Sequence, residues 1–161
     1  LALGALKYFI LKVDPKRNML FNPEESIDFN GNTGPFIQYT HARIRSIIRK
    51  AQEQHNLAID NAQQMIDWTV ADITPKEKEI IKAIYDMPNV IVEAANNYSP
   101  AMVANYVYDV AKCFNSFYQD TPILKETNTN NMVFRLYLCK MVSTVVRNSM
   151  AVLGIDLPEK M

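Results

Sequence analysis

The sequence predicts an all-α protein, a helical bundle of about five or six helices. Three observations lead to this fold class. Apolar residues recur at helical spacing along most of the chain after Pro35. Helix-start signals such as Thr74-Pro75 and Ser99-Pro100 divide that part of the chain. Only four of the 161 residues are glycine, which argues against a β-sandwich with glycine-rich turns, and 48% are hydrophobic, which is enough for a core.

The first thirty residues are less regular than the rest. Residues 1–12 are mostly apolar and fit a buried helix followed by a short strand, since periodicity cannot decide the structure of so short a run. The sequence Asn22-Pro23-Glu24-Glu25 indicates the start of a brief helix. The strongest turn signal, NGNTGP at residues 30–35, holds two of the four glycines. We therefore expect a domain boundary here, between residues 1–30 and residues 31–161.

Beyond the turn, each predicted helix has an apolar face. Helices are expected over residues 36–55 and 74–85, from Pro88, from Ser99 and over residues 128–153, whereas residues 56–73 are mixed. Before Ser99 the expected core residues are Ile37, Ile44, Ile47, Ile48, Ala51, Ile59, Met65, Ile66, Trp68, Ile80, Ile81, Ala83, Ile84, Tyr85, Val90, Ile91 and Ala94. The helix from Ser99 has the stripe Val103, Val107, Val110, Phe114 and Phe117. The last helix, expected to be central, has the stripes Met132, Leu136, Cys139, Ser143, Val146, Met150, Leu153 and Leu138, Val142, Val145, Val152.

The composition excludes several function classes. Seventeen basic and seventeen acidic residues give a formal net charge of zero, which excludes a globally basic nucleic-acid coat but permits a local basic stripe. Cys113 and Cys139 form no CxxC motif, so we expect two buried thiols in a reducing compartment. His41 and His55 would stand roughly 21 Å apart along one helix, too far to share a metal. A catalytic Cys-His pair brought together by the fold remains an open alternative.

The ends and the hydropathy of the chain bear on its context. No apolar stretch is long enough to span a membrane, and the start lacks the features of a signal peptide. The sequence opens within an apolar run without an initiator Met, so we expect the C-terminal fragment of a longer protein.

Residues 29–50 combine aromatic and basic side chains after the glycine turn. Phe36, Tyr39 and Arg43 follow each other at spacings of three and four, so they share one helix face. Aromatic rings beside guanidinium groups suit unstacked bases next to phosphates. The residues by themselves leave two alternatives, a core aromatic pair with a solvated basic face and a helical module that binds another protein.

Four segments of the chain resemble arginyl-tRNA synthetases, which are class I aminoacyl-tRNA synthetases. The segment FNGNTGPFIQYTHARIRSI resembles the junction between the catalytic and anticodon-binding domains, and GALKYFILK resembles the end of the catalytic region. The segment SPAMVANYVYDVAKCFNSFYQDTPIL and the ending VLGIDLPEKM resemble the middle and the terminal signature of the helical domain. The similarity covers essentially the whole chain, in order.

The resemblance implies a tRNA-binding function for this part of the enzyme. The full-length protein would ligate arginine to its tRNA with ATP and Mg²⁺, whereas this fragment would hold neither the catalytic site nor a cofactor or metal. Residues 1–30 would be a remnant of the α/β catalytic domain, and residues 31–161 the anticodon-binding domain. Phe36, Tyr39 and Met161 would contact anticodon-loop bases. Arg43 would also contact the RNA, because helix geometry places it on the same face. Tyr106 is a further candidate, on the helix expected to lie opposite.

The same resemblance implies the partners, and the chain departs from the family pattern at two places. The partners would be the anticodon stem and loop of an arginine tRNA and the catalytic domain of the same chain, in a cytoplasmic monomer without membrane contact. The family motif Asp-Ala-Leu-Arg reads Met132-Val133-Phe134-Arg135 here, so only the arginine is kept. Lys160 stands where the family often has arginine, which keeps the charge but loses the planar fork.

Overall fold

Eight α-helices and one 3₁₀ turn make up the secondary structure of the computed structural model, which describes residues 1–69 and 73–161. The helices are α1 (Ala2–Leu11), α2 (Pro23–Ser26), α3 (Gly34–His55), α4 (Ala62–Met65), α5 (Pro75–Tyr85), α6 (Met87–Asn96), α7 (Pro100–Asp120) and α8 (Thr129–Val152), with the 3₁₀ turn at Ile59–Asn61. These described ranges contain no strand, so the all-α prediction is confirmed. The strand considered after the first helix does not form.

Polar caps fix the starts of α3 and α5, two of the helices that the sequence predicted. The Thr33 hydroxyl accepts a hydrogen bond from the Phe36 backbone N–H at 3.3 Å, and Pro35 occupies the first turn of α3. At α5, Thr74 and Glu77 form a capping box in which each side chain accepts from the other residue's backbone N–H. Both caps satisfy N–H groups that have no partner inside the helix. The long helix α3 therefore starts directly at the glycine turn.

Helices α7 and α8 form the centre of the bundle. All five residues of the predicted α7 stripe are buried, from Val103 at 2% exposed to Phe117 at 0%. The first α8 stripe is also fully buried, and the second is buried except for Val152. Each such aliphatic or aromatic side chain contributes about 1.5–3 kcal/mol by leaving water. The prediction of a nearly enclosed last helix is confirmed.

The segment between α3 and α5 is less helical than expected. It consists of the 3₁₀ turn and the short α4, and residues 70–72 of the predicted mixed region lie outside the described residues. Ile66 is buried, but Met65 and Trp68 are half exposed, so they are not the core anchors that we expected. Tyr85, the last residue of α5, is exposed as well, at 81%.

Helix α1 shares the core of the bundle. Its Tyr8 side chain is fully buried, and the hydroxyl donates to the Ala104 carbonyl of α7 at 2.7 Å. Helices α1 and α3 cross closely, since a Cβ built on Gly34 would stand 2.8 Å from the Gly4 carbonyl oxygen. Gly34 is therefore needed for the close packing of α1 on α3. A domain boundary at residue 30 stays a prediction.

No helix of the described residues has both the length and the hydropathy that a membrane crossing requires.

Candidate functional site

One groove collects most of the aromatic and basic residues that the sequence singled out. It has a volume of about 660 Å³ and lies between α3, the end of α7, the loop after α7 and the C-terminal tail. The residues that line it are Tyr39, Ala42, Arg43, Ser46, Ile47, Arg49, Lys50, Tyr118, Thr121, Pro122, Ile123, Leu124, Lys125, Lys160 and Met161. Four separate segments of the chain therefore build a single concave surface.

All charged side chains in the lining of this groove are basic. They are Arg43, Arg49, Lys50, Lys125 and Lys160. Within the part of the chain that the structure describes, none of the five forms an ion pair. The whole chain has a formal net charge of zero, so the positive charge is concentrated here and not spread evenly. Such a groove attracts a polyanion, and the attraction weakens with salt.

The groove holds two exposed tyrosines with an arginine between them. The Arg43 Cζ atom lies 4.8 Å from the centre of the Tyr39 ring and 5.4 Å from the centre of the Tyr118 ring. Asn115 fixes this arginine, because its Oδ1 accepts from Arg43 Nη1 at 2.6 Å. Asn115 in turn donates from Nδ2 to the Thr40 hydroxyl at 2.8 Å. The tyrosine rings are thus held in place while 43% of Tyr39 stays exposed.

The tail after α8 lies along α3. Gly154 turns the chain with a φ of +68°, which favours glycine, and Ile155 is buried. The Gln38 amide donates to the Asp156 carbonyl at 3.1 Å, and His41 Nδ1 lies 3.1 Å from the Pro158 carbonyl oxygen. Burial lowers the pKa of His41, so its ring is neutral at pH 7 and donates to that carbonyl.

The end of the tail reaches the groove. Arg45 Nε donates to Glu159 Oε2 at 2.5 Å, and Arg49 Nη1 donates to the Glu159 backbone carbonyl at 3.0 Å. Met161 lines the groove with 48% of its surface exposed. The structure thus brings together Tyr39, Arg43 and Met161, although Met161 is far from the other two in sequence.

Phe36 lies outside the groove lining. Its half-buried ring packs on Tyr108 of α7, with the ring centres 5.4 Å apart. Phe36 is one helical turn before Tyr39, so it continues the same face of α3 beyond the groove. Phe29, and not Phe36, packs against Tyr39, with the two rings nearly perpendicular and their centres 6.2 Å apart.

Tyr106 faces a different part of the surface. Its hydroxyl donates to the Ala83 carbonyl of α5 at 2.8 Å, and burial together with the charge of Asp86 raises its pKa to about 12. It lines a separate pocket of about 560 Å³ between α5, α6 and α7. The groove therefore does not include Tyr106, because this side of α7 faces α5 and α6.

Sequence reasoning missed Tyr118, Asn115 and Lys125. On α7, Tyr108, Asn115 and Tyr118 follow each other at helical spacing beside the buried stripe, a signal that could have indicated a second functional face. Lys125 lies in the loop after α7, where no periodicity exists to predict it.

The thiols give no support to a cysteine-based catalytic site. Burial raises the pKa of Cys139 to about 12, and burial with the charge of Glu79 raises the pKa of Cys113 to about 11. Both cysteines are therefore protonated at pH 7, and a protonated thiol is a poor nucleophile.

Comparison with known proteins places this bundle in a family. A family model described as the DALR anticodon binding domain matches residues 37–161. The chain belongs to this family. The match begins at Ile37, within the first turn of α3, and runs to the end of the tail. Together with the relatives described next, it confirms the resemblance to arginyl-tRNA synthetases noted in the sequence.

The relatives of the DALR domain are longer proteins. The chain is 53% identical over 161 residues to an arginine–tRNA ligase of Flavobacterium psychrophilum, of which it covers 25%. It is 54% identical over 159 residues to that of Parabacteroides distasonis, of which it covers 26%. The chain thus spans about a quarter of the length of the curated relatives that it matches.

Solved structures agree with this assignment. The Thermus thermophilus arginyl-tRNA synthetase matches 99% of this chain over 26% of its own, with a TM-score of 0.86 and 32% identity. The arginyl-tRNA synthetase of Plasmodium falciparum matches 99% of this chain over 27% of its own, with a TM-score of 0.84 and 28% identity.

The altered family motif lies at the start of α8. Met132, Val133 and Phe134 are all buried in apolar clusters, which explains why three apolar residues are accepted there. Arg135 keeps a buried polar role, because its Nε donates to Glu77 Oε1 at 2.7 Å and its Nη1 donates to the Pro122 carbonyl at 3.0 Å.

Arg135 also holds the loop after α7 through a second carboxylate. Its Nη1 pairs with Glu126. The Asn128 backbone N–H donates to Glu126, and this bond, with the charge of Arg135, holds the pKa of Glu126 below its usual value. Residues 121–125 of this loop line the groove, so the surviving arginine of the DALR motif supports one groove wall.

Proposed function

We propose that this DALR domain binds the anticodon stem and loop of an arginine tRNA, as the C-terminal part of an arginine–tRNA ligase. The observation that carries the proposal is the groove whose charged residues are all basic and whose surface presents the exposed Tyr39 ring. Its relatives are arginine–tRNA ligases, which indicates the amino acid and the RNA class.

The groove offers complementary groups for both parts of a nucleotide. Basic side chains on opposite sides, such as Lys50 of α3 and Lys125 of the loop, would neutralise phosphates. The exposed face of Tyr39 would stack on an anticodon base, while Arg43 holds the other side of that residue. Met161 would contact the base with its polarizable thioether. Phe36 would extend the aromatic surface one turn along α3.

The remaining functions of the ligase belong, in this proposal, to the rest of the polypeptide. The part that the chain does not span would bind ATP and Mg²⁺ and join arginine to the tRNA. The outer face of α1 is a suitable contact for it, since Leu3, Leu6 and Ile10 share one face and are 63%, 41% and 50% exposed. We expect the whole ligase to act as a cytoplasmic monomer.

A binding titration with a substituted chain tests the proposal. Fluorescence anisotropy with a labelled anticodon stem-loop that carries an arginine anticodon gives the Kd. We expect Tyr39→Ala to weaken binding about 5- to 150-fold, since stacking of one base on an aromatic side chain is worth about 1–3 kcal/mol. The matched control is Tyr85→Ala, which removes a tyrosine that is even more exposed, at 81%, and lies outside the groove lining.

Two outcomes would contradict the proposal. One is a Tyr39→Ala chain that binds the stem-loop as tightly as the unchanged chain. The other is an unchanged chain that binds stem-loops of other amino acids equally well, which would favour a general RNA-binding or protein-binding module.

A further inference from the structure

The face of α3 that holds the C-terminal tail adjoins the face that lines the groove, and Arg49 belongs to both. Gln38, His41, Arg45 and Arg49 follow each other at spacings of three, four and four, and each of them bonds to the tail. Their partners advance along the tail in the same order, from Asp156 through Pro158 to Glu159. We call these four residues the tail clamp.

The clamp has a buried part and an exposed part. Gln38 and His41 are 3% and 1% exposed, so their bonds to the tail lie within the protein. The side chains of Arg45 and Glu159 are 36% and 55% exposed. An exposed ion pair contributes little to global stability. The bond between Arg45 and Glu159 is therefore poorly suited to hold the fold together, and it acts on the last residues of the tail.

Arg45 itself does not line the groove, whereas Met161, two residues beyond its partner Glu159, does. The geometry points to Arg45 as a positioning residue for RNA recognition: its bond to Glu159 fixes Met161 in the groove, so that the contribution of Met161 to RNA binding depends on Arg45. This inference rests on the proposed function. Arg45 acts on the RNA only through the tail.

A pair of substitutions with opposite charge changes separates positioning from simple electrostatics. Arg45→Met removes a positive charge and Glu159→Gln removes a negative charge, yet both remove the same ion pair. Positioning predicts that both weaken binding of the arginine anticodon stem-loop, by about two- to fivefold. Attraction by net charge alone predicts that Arg45→Met weakens binding and Glu159→Gln strengthens it. That second pattern, or unchanged binding in both, would overturn the inference.

The dependence on Met161 is tested by combining substitutions. Met161→Ala alone should weaken binding about two- to tenfold. In the Met161→Ala background, neither Arg45→Met nor Glu159→Gln should weaken binding further, because no thioether is left to position. Additive losses would overturn the inference. The measurements belong at about 0.15 M salt, where the Debye length of about 8 Å limits the direct effect of a charge outside the groove.

Carboxypeptidase digestion reports the position of the tail without RNA. Both single substitutions should speed the release of Met161 from the 161-residue chain, and unchanged release would overturn the positioning role of Arg45. Tyr39→Ala keeps the two hypotheses apart, since it removes a stacking ring and leaves the tail alone. Loss of binding in Tyr39→Ala but not in Met161→Ala would refute the inference and keep the proposed function. Unchanged binding in Tyr39→Ala would refute the function itself.

Discussion

Arg43 and Arg135 illustrate how burial decides the role of an arginine in this protein. Arg43 lies at the surface between two tyrosine rings and bonds to a neutral amide, so its charge is not cancelled by a carboxylate. Arg135 is 7% exposed and bonds to Glu77, which is 1% exposed. The first arrangement leaves a cation for a ligand, whereas the second compensates a carboxylate that would otherwise be buried alone.

Replacement of Arg135 by methionine should therefore destabilise the protein strongly. The substitution keeps much of the apolar stem but leaves Glu77 without its charged partner inside the bundle. Removal of one partner of a buried ion pair costs about 3–5 kcal/mol, and we expect a loss of this size in the free energy of unfolding measured with urea.

Lys140→Met provides the matched control for that measurement. It removes an ion pair from the same helix, because Lys140 Nζ lies 2.9 Å from Asp60 Oδ1, but Asp60 is fully exposed. This control should leave the free energy of unfolding nearly unchanged. Equal losses in the two variants would mean that burial does not set the importance of Arg135.

At the scale of elements, the crossing of α1 and α3 sets the direction of the helix that carries the site. The two helices approach closely at Gly4 and Gly34. Helix α3 then runs along α7, with Tyr39 and Arg43 on the face that lines the groove. A change at this crossing should act on the site, since α3 holds both a groove wall and the tail clamp.

We expect Gly34→Ala to destabilise the protein by about 1–3 kcal/mol in thermal or urea unfolding, because the new Cβ would meet the Gly4 backbone at 2.8 Å and force the helices apart. Gly31→Ala is the matched control from the same turn. A Cβ there would stand 3.6 Å from its nearest neighbour, in ordinary contact, so its effect should be small. Similar losses in both variants would show that the turn matters and the helix crossing does not.

Helices whose apolar pattern repeats over many turns were predictable from the sequence, whereas short elements were not. The stripes of α7 and α8 repeat over many turns, so single exposed residues such as Val152 hardly affect the prediction. Met65 and Tyr85 were wrong as core residues because each is the last residue of its helix, where no further turn constrains the facing direction, and Trp68 was wrong because it lies in the loop after α4. Local apolar character cannot decide between a core position and an exposed one there.

At the scale of the whole molecule, the groove joins segments that are distant in sequence. The glycine turn and the aromatic and basic residues after it identified Tyr39 and Arg43 as candidate site residues. The resemblance to a known family identified Met161. Tyr118 was missed because only the packing of α7 on α3 brings it close to Tyr39. Lys125 was missed because its position depends on the loop that Arg135 holds through the Pro122 carbonyl. Such contacts depend on three-dimensional structure, which a one-dimensional pattern does not contain.

The concentration of charge in the groove predicts how RNA binding depends on salt. For single-stranded RNA, each neutralised phosphate contributes about −0.7 to the slope of log K against log salt concentration, so five contacts would give about −3.5. Lys50→Met, which removes one groove cation, should reduce the magnitude of this slope by about 0.7. Lys78→Met removes an exposed cation of α5 outside the groove and should leave the slope unchanged. Equal slopes for the two variants would mean that the RNA responds to the net charge of the chain and not to the groove.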